Sequence, residues 1–184
     1  MLYIIAALKP EAQAFVDKYR LKKTKLNAYT LYFNDDMRLI ISGLGNDKAR
    51  EATQTLIDNY DITNEDIYLN IGICAANTRY SIGELIEAGS IAYKGEIYPL
   101  QNSSPKRLTC LDAEAAEAVC EIADMESFGF YDAIRHSPAI KNFHVLKVVS
   151  DHFEPQTVTK EKTKSLIFNM IDAINKLILN HPYK

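Results

Sequence analysis

The chain has 184 residues, of which 47% are hydrophobic and 24% are charged, and its formal net charge is −3. This length and balance are typical of one globular domain with a substantial core, so we expect a single domain over residues 1–184. The small negative charge gives no electrostatic basis for binding nucleic acid or a membrane. The short basic run at residues 22–25 is interpreted as a solvated turn rather than a phosphate-binding patch.

The cysteines and the N-terminal segment indicate a cytoplasmic protein. Cys74, Cys110 and Cys120 are an odd set without C-x-x-C spacing, which disfavours a secreted disulfide framework. The first eight residues lack a basic region, and their apolar run is too short to cross a bilayer. Neither the cysteines nor the four histidines show metal-ligand spacing, so we expect no metal and no cofactor.

The first half of the chain predicts strands that alternate with helices. Pro10 suits the first turn of a helix, because the N–H that it lacks would have no intrahelical partner there. Asn46 or Asp47 can cap the helix that follows Gly43-Leu44-Gly45. The predicted elements are, in order, a strand at 3–8, a helix through 11–19, a hairpin of strands 29–33 and 37–42, a helix through 49–57, and strands at 67–71 and 90–93.

The second half continues the same alternation. Residues 95–107 are rich in glycine, proline, asparagine and serine, and predict a loop. The further predicted elements are helices at 113–121 and 127–135, a buried strand at 143–150 and a long amphipathic helix at 162–179. Together these elements predict an α/β fold with a mixed central sheet flanked by helices on both faces.

Two acidic residues stand where apolar runs end, Glu126 and Asp151. Ligands of α/β sheets bind beyond the carboxyl ends of strands. One carboxylate can accept hydrogen bonds from both hydroxyls of a ribose, and an aspartate at a strand end can act as a general acid. The alternatives are a helix-start charge for Glu126 and a turn or N-cap residue for Asp151.

Glycines mark two further positions. Gly43 and Gly45 precede a helix, but the third glycine of a dinucleotide fingerprint is replaced by Lys48, so a tight turn is favoured over a nucleotide site. Gly72 ends a predicted strand, where its backbone could pack against a flat ligand or against a helix.

Six short motifs, in this order, resemble those of the nucleoside phosphorylase and nucleosidase superfamily, and especially its methylthioadenosine/adenosylhomocysteine nucleosidase-like branch. The resemblance covers nearly the whole chain and implies that family's α/β fold and a homo-oligomer. The motifs are Leu8-Lys9-Pro10-Glu11-Ala12, Ser42-Gly43-Leu44-Gly45, Asn70-Ile71-Gly72, Ile82-Gly83-Glu84-Leu85, Asp124-Met125-Glu126-Ser127 and Ser150-Asp151.

The resemblance implies a role for each matching residue. Asp151 would protonate N7 of a purine leaving group, and Glu11 would polarise the attacking water. Glu126 would hold the ribose hydroxyls, and Met125 would pack under the sugar. The further residues that the resemblance places at the substrate are Gly72, Ile73, Thr109 and Cys110.

The sequence also departs from the family pattern. Ile73 replaces a serine, and Ala75-Ala76 replace two glycines, so added methyl groups narrow the space for sugar or nucleophile. The span between Gly95 and Asp124 is short against the family's usual length, and by this resemblance Thr109-Cys110-Leu111-Asp112 would replace the strand that contacts the base.

Four functions remain open from the sequence. Hydrolysis of the N-glycosidic bond of a purine or related nucleoside is favoured, because no arginine occurs in residues 2–19 or 68–76 to bind phosphate. Phosphate-dependent cleavage by a nucleoside phosphorylase is the first alternative. A non-catalytic nucleoside-binding homologue is the second, motivated by Ile73, Ala75 and Ala76. A dinucleotide-binding oxidoreductase rests on Gly43 and Gly45 alone.

Overall fold

The computed structural model describes residues 1–179, which form one sheet, four α-helices and a short 3₁₀ turn. The helices are α1 (Lys9–Tyr19), α2 (Asn46–Asn59), α3 (Ser127–Arg135) and α4 (Lys160–Leu179), and the 3₁₀ turn is Pro155–Thr157. The strands are β1 (Leu2–Ala6), β2 (Lys22–Leu26), β3 (Tyr29–Phe33), β4 (Met37–Ile41), β5 (Ile67–Ala76), β6 (Leu85–Glu87), β7 (Ser90–Tyr93), β8 (Glu96–Pro99), β9 (Arg107–Cys110), β10 (Ile122–Asp124) and β11 (Asn142–Asp151). Within these residues, no helix is both long and apolar enough to cross a membrane.

The sheet is mixed, as the sequence predicts. Its main path runs β2-β3-β4-β1-β5-β10-β9-β7-β8, and β11 pairs with β5 and β6. The central strands β4, β1, β5 and β11 are parallel to one another, while β10 is antiparallel to β5. The carboxyl ends of the four parallel strands therefore meet at one edge of the sheet, where ligands of such sheets bind.

Helices cover both faces of the sheet, which confirms the predicted layering. Ile4 and Ile5 of β1 belong to different apolar clusters, because successive side chains of a strand point to opposite faces. Leu56 of α2 and Phe130 of α3 pack in one cluster. Phe15 of α1 packs in the other, together with the apolar face of α4.

Two segments that were predicted as irregular are strands. The basic run at residues 22–25 lies in β2, an edge strand that is antiparallel to β3, so the prediction of a turn was wrong. Its side chains are mostly exposed, and lysines on an edge strand discourage pairing with other chains. Residues 95–107 contain β8 and the start of β9, because Lys94 and Gly95, both with positive φ, turn the chain into a tight hairpin with β7.

The helix predicted at residues 113–121 is absent. This segment has no regular structure and is largely exposed, with Val119 65% exposed. Its alanines and glutamates favour helix formation, but they provide no apolar stripe that would bind a helix to the core. The helix at 127–135 was predicted at its observed bounds. Helix α2 begins at Asn46, and Gly45 takes the N-cap position without a side-chain cap, contrary to the capping prediction.

Candidate active site

A cavity of about 230 Å³ opens at the carboxyl ends of the central strands. Five acidic residues contribute to its wall, and none of its lining residues, all within residues 1–179, is a lysine or an arginine. The acidic residues are Glu11, Glu114, Asp124, Glu126 and Asp151. The apolar part of the wall includes Leu8, Leu44, Ile73, Ala75, Leu111, Met125 and Val158. The cavity therefore presents carboxyl groups in an otherwise apolar enclosure.

Glu11 lies in the first turn of α1 and is only 2% exposed. Its Oε2 accepts a hydrogen bond from the Leu8 amide at 2.8 Å, and its Oε1 accepts one from the Ile73 amide at 2.9 Å. Burial raises the pKa of Glu11, and the positive charge of Lys147 and the backbone donors oppose that rise. The carboxyl group is thus held in one orientation between the ends of β1 and β5.

Glu126 follows β10 and precedes α3. Its Oε1 accepts a hydrogen bond from the Gly45 amide at 2.9 Å. Burial raises its pKa to about 7; Lys147 lowers the pKa, and the charges of Asp124 and Glu11 raise it. Gly45 has a φ of 100°, which a residue with a side chain rarely adopts, so the glycine turn serves to aim an amide at this carboxyl group.

Both oxygens of the Asp124 carboxylate bind other groups of the protein. Its Oδ2 accepts the amides of Glu126 at 3.2 Å and Ser127 at 2.8 Å, and its Oδ1 accepts the Ser127 hydroxyl at 2.6 Å. The Lys147 ammonium lies 2.9 Å from the same Oδ2. Asp124 therefore caps the start of α3 and pairs with a buried lysine.

Asp151 ends β11 and is buried. Its Oδ2 accepts the Glu154 amide at 2.9 Å. The Ser150 hydroxyl lies 2.5 Å from Asp151 Oδ1 and 3.1 Å from the Cys74 carbonyl oxygen. The Ser150 hydroxyl has one proton, which it donates to Asp151 Oδ1 and shares with the Cys74 carbonyl oxygen. Ser150 and the Glu154 amide thus hold the Asp151 carboxyl group in place at the end of β11.

Cys74 also lines the cavity, but burial raises the pKa of its thiol well above the ordinary value. It stays a neutral thiol and is no nucleophile.

The structure brings most of the sequence-predicted site residues together. Glu11, Ile73, Met125, Glu126 and Asp151 all line the cavity. These residues come from four segments, which meet there because β5 pairs with β1, β10 and β11 in the sheet.

Three other predicted residues lie outside the cavity wall. Gly72 lies behind it, between Glu11 and Lys147. Cys110 is buried, with its Sγ 3.1 Å from Asn46 Oδ1, and Thr109 lines a separate depression. Strand β9 is separated from β5 by β10, so the chain reaches the cavity only after the strand ends, at Leu111.

Lys147 and the pairing role of Asp124 were missed. A sequence signal for Lys147 exists, because it interrupts the apolar run Val145-Leu146-Lys147-Val148-Val149 of a strand predicted as buried. A lysine at such a position must find a charged partner.

Solved structures with this fold include nucleosidases. The chain has a TM-score of 0.77 to a 5′-methylthioadenosine/S-adenosylhomocysteine nucleosidase from Helicobacter pylori with butyl-thio-DADMe-Immucillin-A, at 10% identity over 98% of each chain. It has a TM-score of 0.70 to such a nucleosidase from Colwellia psychrerythraea in complex with adenine, at 17% identity over 93% of this chain and 94% of that one. For the futalosine hydrolase of Helicobacter pylori the TM-score is 0.72, at 10% identity over 94% and 97%.

No protein-family model and no curated protein sequence matches the chain. The match of the structures covers nearly the full length of both partners, and it agrees with the motif resemblance that the sequence shows. The chain therefore has the α/β fold of the 5′-methylthioadenosine/S-adenosylhomocysteine nucleosidases.

Proposed function

We propose that the protein hydrolyses the N-glycosidic bond of a purine nucleoside or a related nucleoside. One observation carries this proposal: Glu11, Glu126 and Asp151 are buried at a single cavity, each held by backbone amides. The likeness to nucleosidase structures supports it. The cleavage needs no metal or cofactor, since protonation of the base and stabilisation of a cationic sugar are tasks for carboxyl groups.

The proposed reaction assigns one task to each acid. Asp151 gives a proton to the leaving base. The carbon–nitrogen bond then breaks, and its electron pair departs with the nitrogen of the base. Glu126 accepts hydrogen bonds from the ribose hydroxyls, and Met125 packs against the sugar. Glu11 accepts a proton from the water that attacks the oxocarbenium-like carbon.

Hydrolysis is favoured over phosphorolysis by the charge of the cavity. Its wall carries five acidic residues and neither lysine nor arginine. The wall thus offers a phosphate dianion no lysine or arginine to bind it, and every ionised carboxylate there repels it. The same argument disfavours substrates with a 5′-phosphate.

The size of the cavity favours a small substrate. Its volume of about 230 Å³ lies below the roughly 300–1,000 Å³ of pockets for drug-sized ligands. We propose a nucleoside whose 5′ substituent is small or projects out of the opening. Ile73 and Ala75 occupy part of the wall, and this observation favours the second candidate, a nucleoside-binding protein without turnover.

Release of free base from a panel of nucleosides, assayed by liquid chromatography, tests the proposal. We expect release without phosphate and no acceleration by phosphate. Asp151→Asn and Glu126→Gln should each abolish most of the release. Phosphate-dependent release would instead assign a phosphorylase, and binding without release would assign the non-catalytic candidate.

Two accompanying properties stay predictions of the sequence: assembly into a homo-oligomer and a cytoplasmic location. Multi-angle light scattering of the purified chain checks the first, and fractionation of the native cells checks the second.

A further inference from the structure

Lys147 lies among the carboxyl groups of Glu11, Asp124 and Glu126, which together are called the acid cluster. It lies in the middle of β11, is 1% exposed and is flanked by the fully buried Leu146 and Val148. Its Nζ lies 2.9 Å from Asp124 Oδ2. A charge at such a place is costly unless it is paired, and Asp124 provides the partner.

Asp124 connects Lys147 to the residue proposed to hold the ribose. The carboxylate that receives the ammonium also accepts the amides of Glu126 and Ser127. These bonds fix the backbone from which Met125 and Glu126 enter the cavity. A shift of the ammonium would therefore move this turn.

Carboxyl groups outnumber the single ammonium group around Lys147. Burial by itself lowers its pKa, but the charges of Asp124, Glu126 and Glu11 hold the pKa above its ordinary value, so the group is an ammonium. One positive charge therefore faces three carboxyl groups. The groups of this region come from several elements: Glu11 on α1, Cys74 on β5, Lys106 before β9, Asp124 on β10, Glu126 before α3, and Lys147 and Asp151 on β11.

We propose that Lys147 is a positioning residue: through Asp124 it fixes the turn that carries Glu126, and its positive charge favours the carboxylate form of Glu126, which accepts hydrogen bonds from ribose hydroxyls. The second half of this statement rests on the proposed nucleosidase function. The first half, the coupling of Lys147 to Asp124 and Glu126, does not.

The test compares Lys147→Met, which keeps the length but not the charge, with Lys147→Arg, which keeps the charge. Carbon-13 NMR of glutamate carboxyl groups follows the titration of Glu126, whose signal is assigned by its loss in Glu126→Gln. In Lys147→Met the midpoint should move to higher pH by about 1–3 pH units, and in Lys147→Arg it should stay near the wild-type midpoint. Lys164→Met, which removes an exposed lysine paired with Asp17, serves as the control and should leave the midpoint unchanged.

Activity gives the second measurement. We expect Lys147→Met to lower kcat/KM by about 100-fold. The acidic limb of its pH profile should move to higher pH by the same amount as the Glu126 midpoint. Lys147→Arg should recover most of the loss. A purely structural role would lower the amount of folded protein without displacing the limb.

An unmoved Glu126 midpoint in folded Lys147→Met would overturn the proposal. If that variant does not fold, nitrogen-15 NMR of the wild-type lysine ammonium groups decides: a neutral Lys147 amine at pH 8 would equally overturn it. The titrations need no turnover, so a wild-type protein that releases no base would refute the nucleosidase and leave this test intact.

Discussion

Gly72 and Lys147 lie opposite each other on the paired strands β5 and β11, and the missing side chain of Gly72 makes room for the acid cluster. A Cβ at residue 72 would lie 2.9 Å from Glu11 Oε1 and 3.4 Å from Lys147 Nζ. The first distance is too short for any real Cβ, and the Glu11 carboxylate cannot withdraw, because backbone amides hold both of its oxygens. Gly72 thus lies behind the cavity wall, where the absence of a side chain leaves room for Glu11 and Lys147.

Gly72→Ala should therefore destabilise the protein and disturb the nucleophile side of the site. We expect the free energy of unfolding to fall by about 1–3 kcal/mol, as for other overpacked cores, measured by urea denaturation. Base release should fall as well, because Glu11 must turn away from the Ile73 amide. Unchanged stability together with unchanged activity would show that the strand relaxes around the methyl group.

The raised pKa of Glu126 predicts a pH-dependent stability. A carboxyl group whose pKa is about 7 in the folded protein, against 4.5 for an unperturbed glutamate, stabilises the folded state at pH values below 4.5. This contribution is lost as the pH rises from about 4.5 to about 7, because the ionised group is then buried.

Glu126→Gln should remove this loss. We expect its stability relative to wild type to increase between pH 5 and pH 8 by about 2–3 kcal/mol, measured by denaturant unfolding at both pH values. Taking the difference between the two proteins cancels the titration of other groups. A constant difference across the range would mean that Glu126 titrates normally.

The sequence was sufficient for the layering of the fold and for elements with a clear apolar pattern. Helix α3 was predicted at its bounds from the spacing of Phe128, Tyr131, Ala133 and Ile134, and in the structure Ala133 and Ile134 are buried together with Phe130. Strand β2 was not, because an exposed edge strand of lysines has no apolar alternation to reveal it. The segment 113–121 failed in the opposite way, since helix-forming residues without an apolar face find nothing to pack against.

For the site, Glu126 and Asp151 were predicted from their places at the ends of apolar runs, and Glu11 from the motif resemblance; all three line the cavity. The pairing of Lys147 with Asp124 could not be identified in this way. The two residues lie 23 positions apart on strands that meet only through β5. Which acid a buried lysine pairs with depends on strand order, and short motifs do not specify that order.

Ser150 should control the delivery of the proton from Asp151. Ser150→Ala removes the oxygen that lies 2.5 Å from Asp151 Oδ1. We expect kcat for base release to fall by about 10- to 100-fold with little change in KM, because general-acid catalysis contributes about 10²–10⁴-fold. His152→Asn is a matched control: His152 contacts the Ala76 carbonyl oxygen and does not line the cavity, so its replacement should leave kcat unchanged. Equal losses in both variants would indicate a general disturbance of the strand end.

Smaller side chains at Ile73 and Ala75 should enlarge the cavity in which we propose that the substrate binds. Ile73→Ser with Ala75→Gly removes carbon atoms that line the cavity while keeping the Ile73 amide that binds Glu11. We expect kcat/KM for base release to rise by about tenfold or more, with a loss of stability of about 1–3 kcal/mol from the missing apolar contacts. Ile41→Ser controls for that loss, because Ile41 packs partly buried against the same apolar cluster without lining the cavity. If the double variant and the control lower activity alike, the side chains of Ile73 and Ala75 belong to the substrate surface and do not obstruct it.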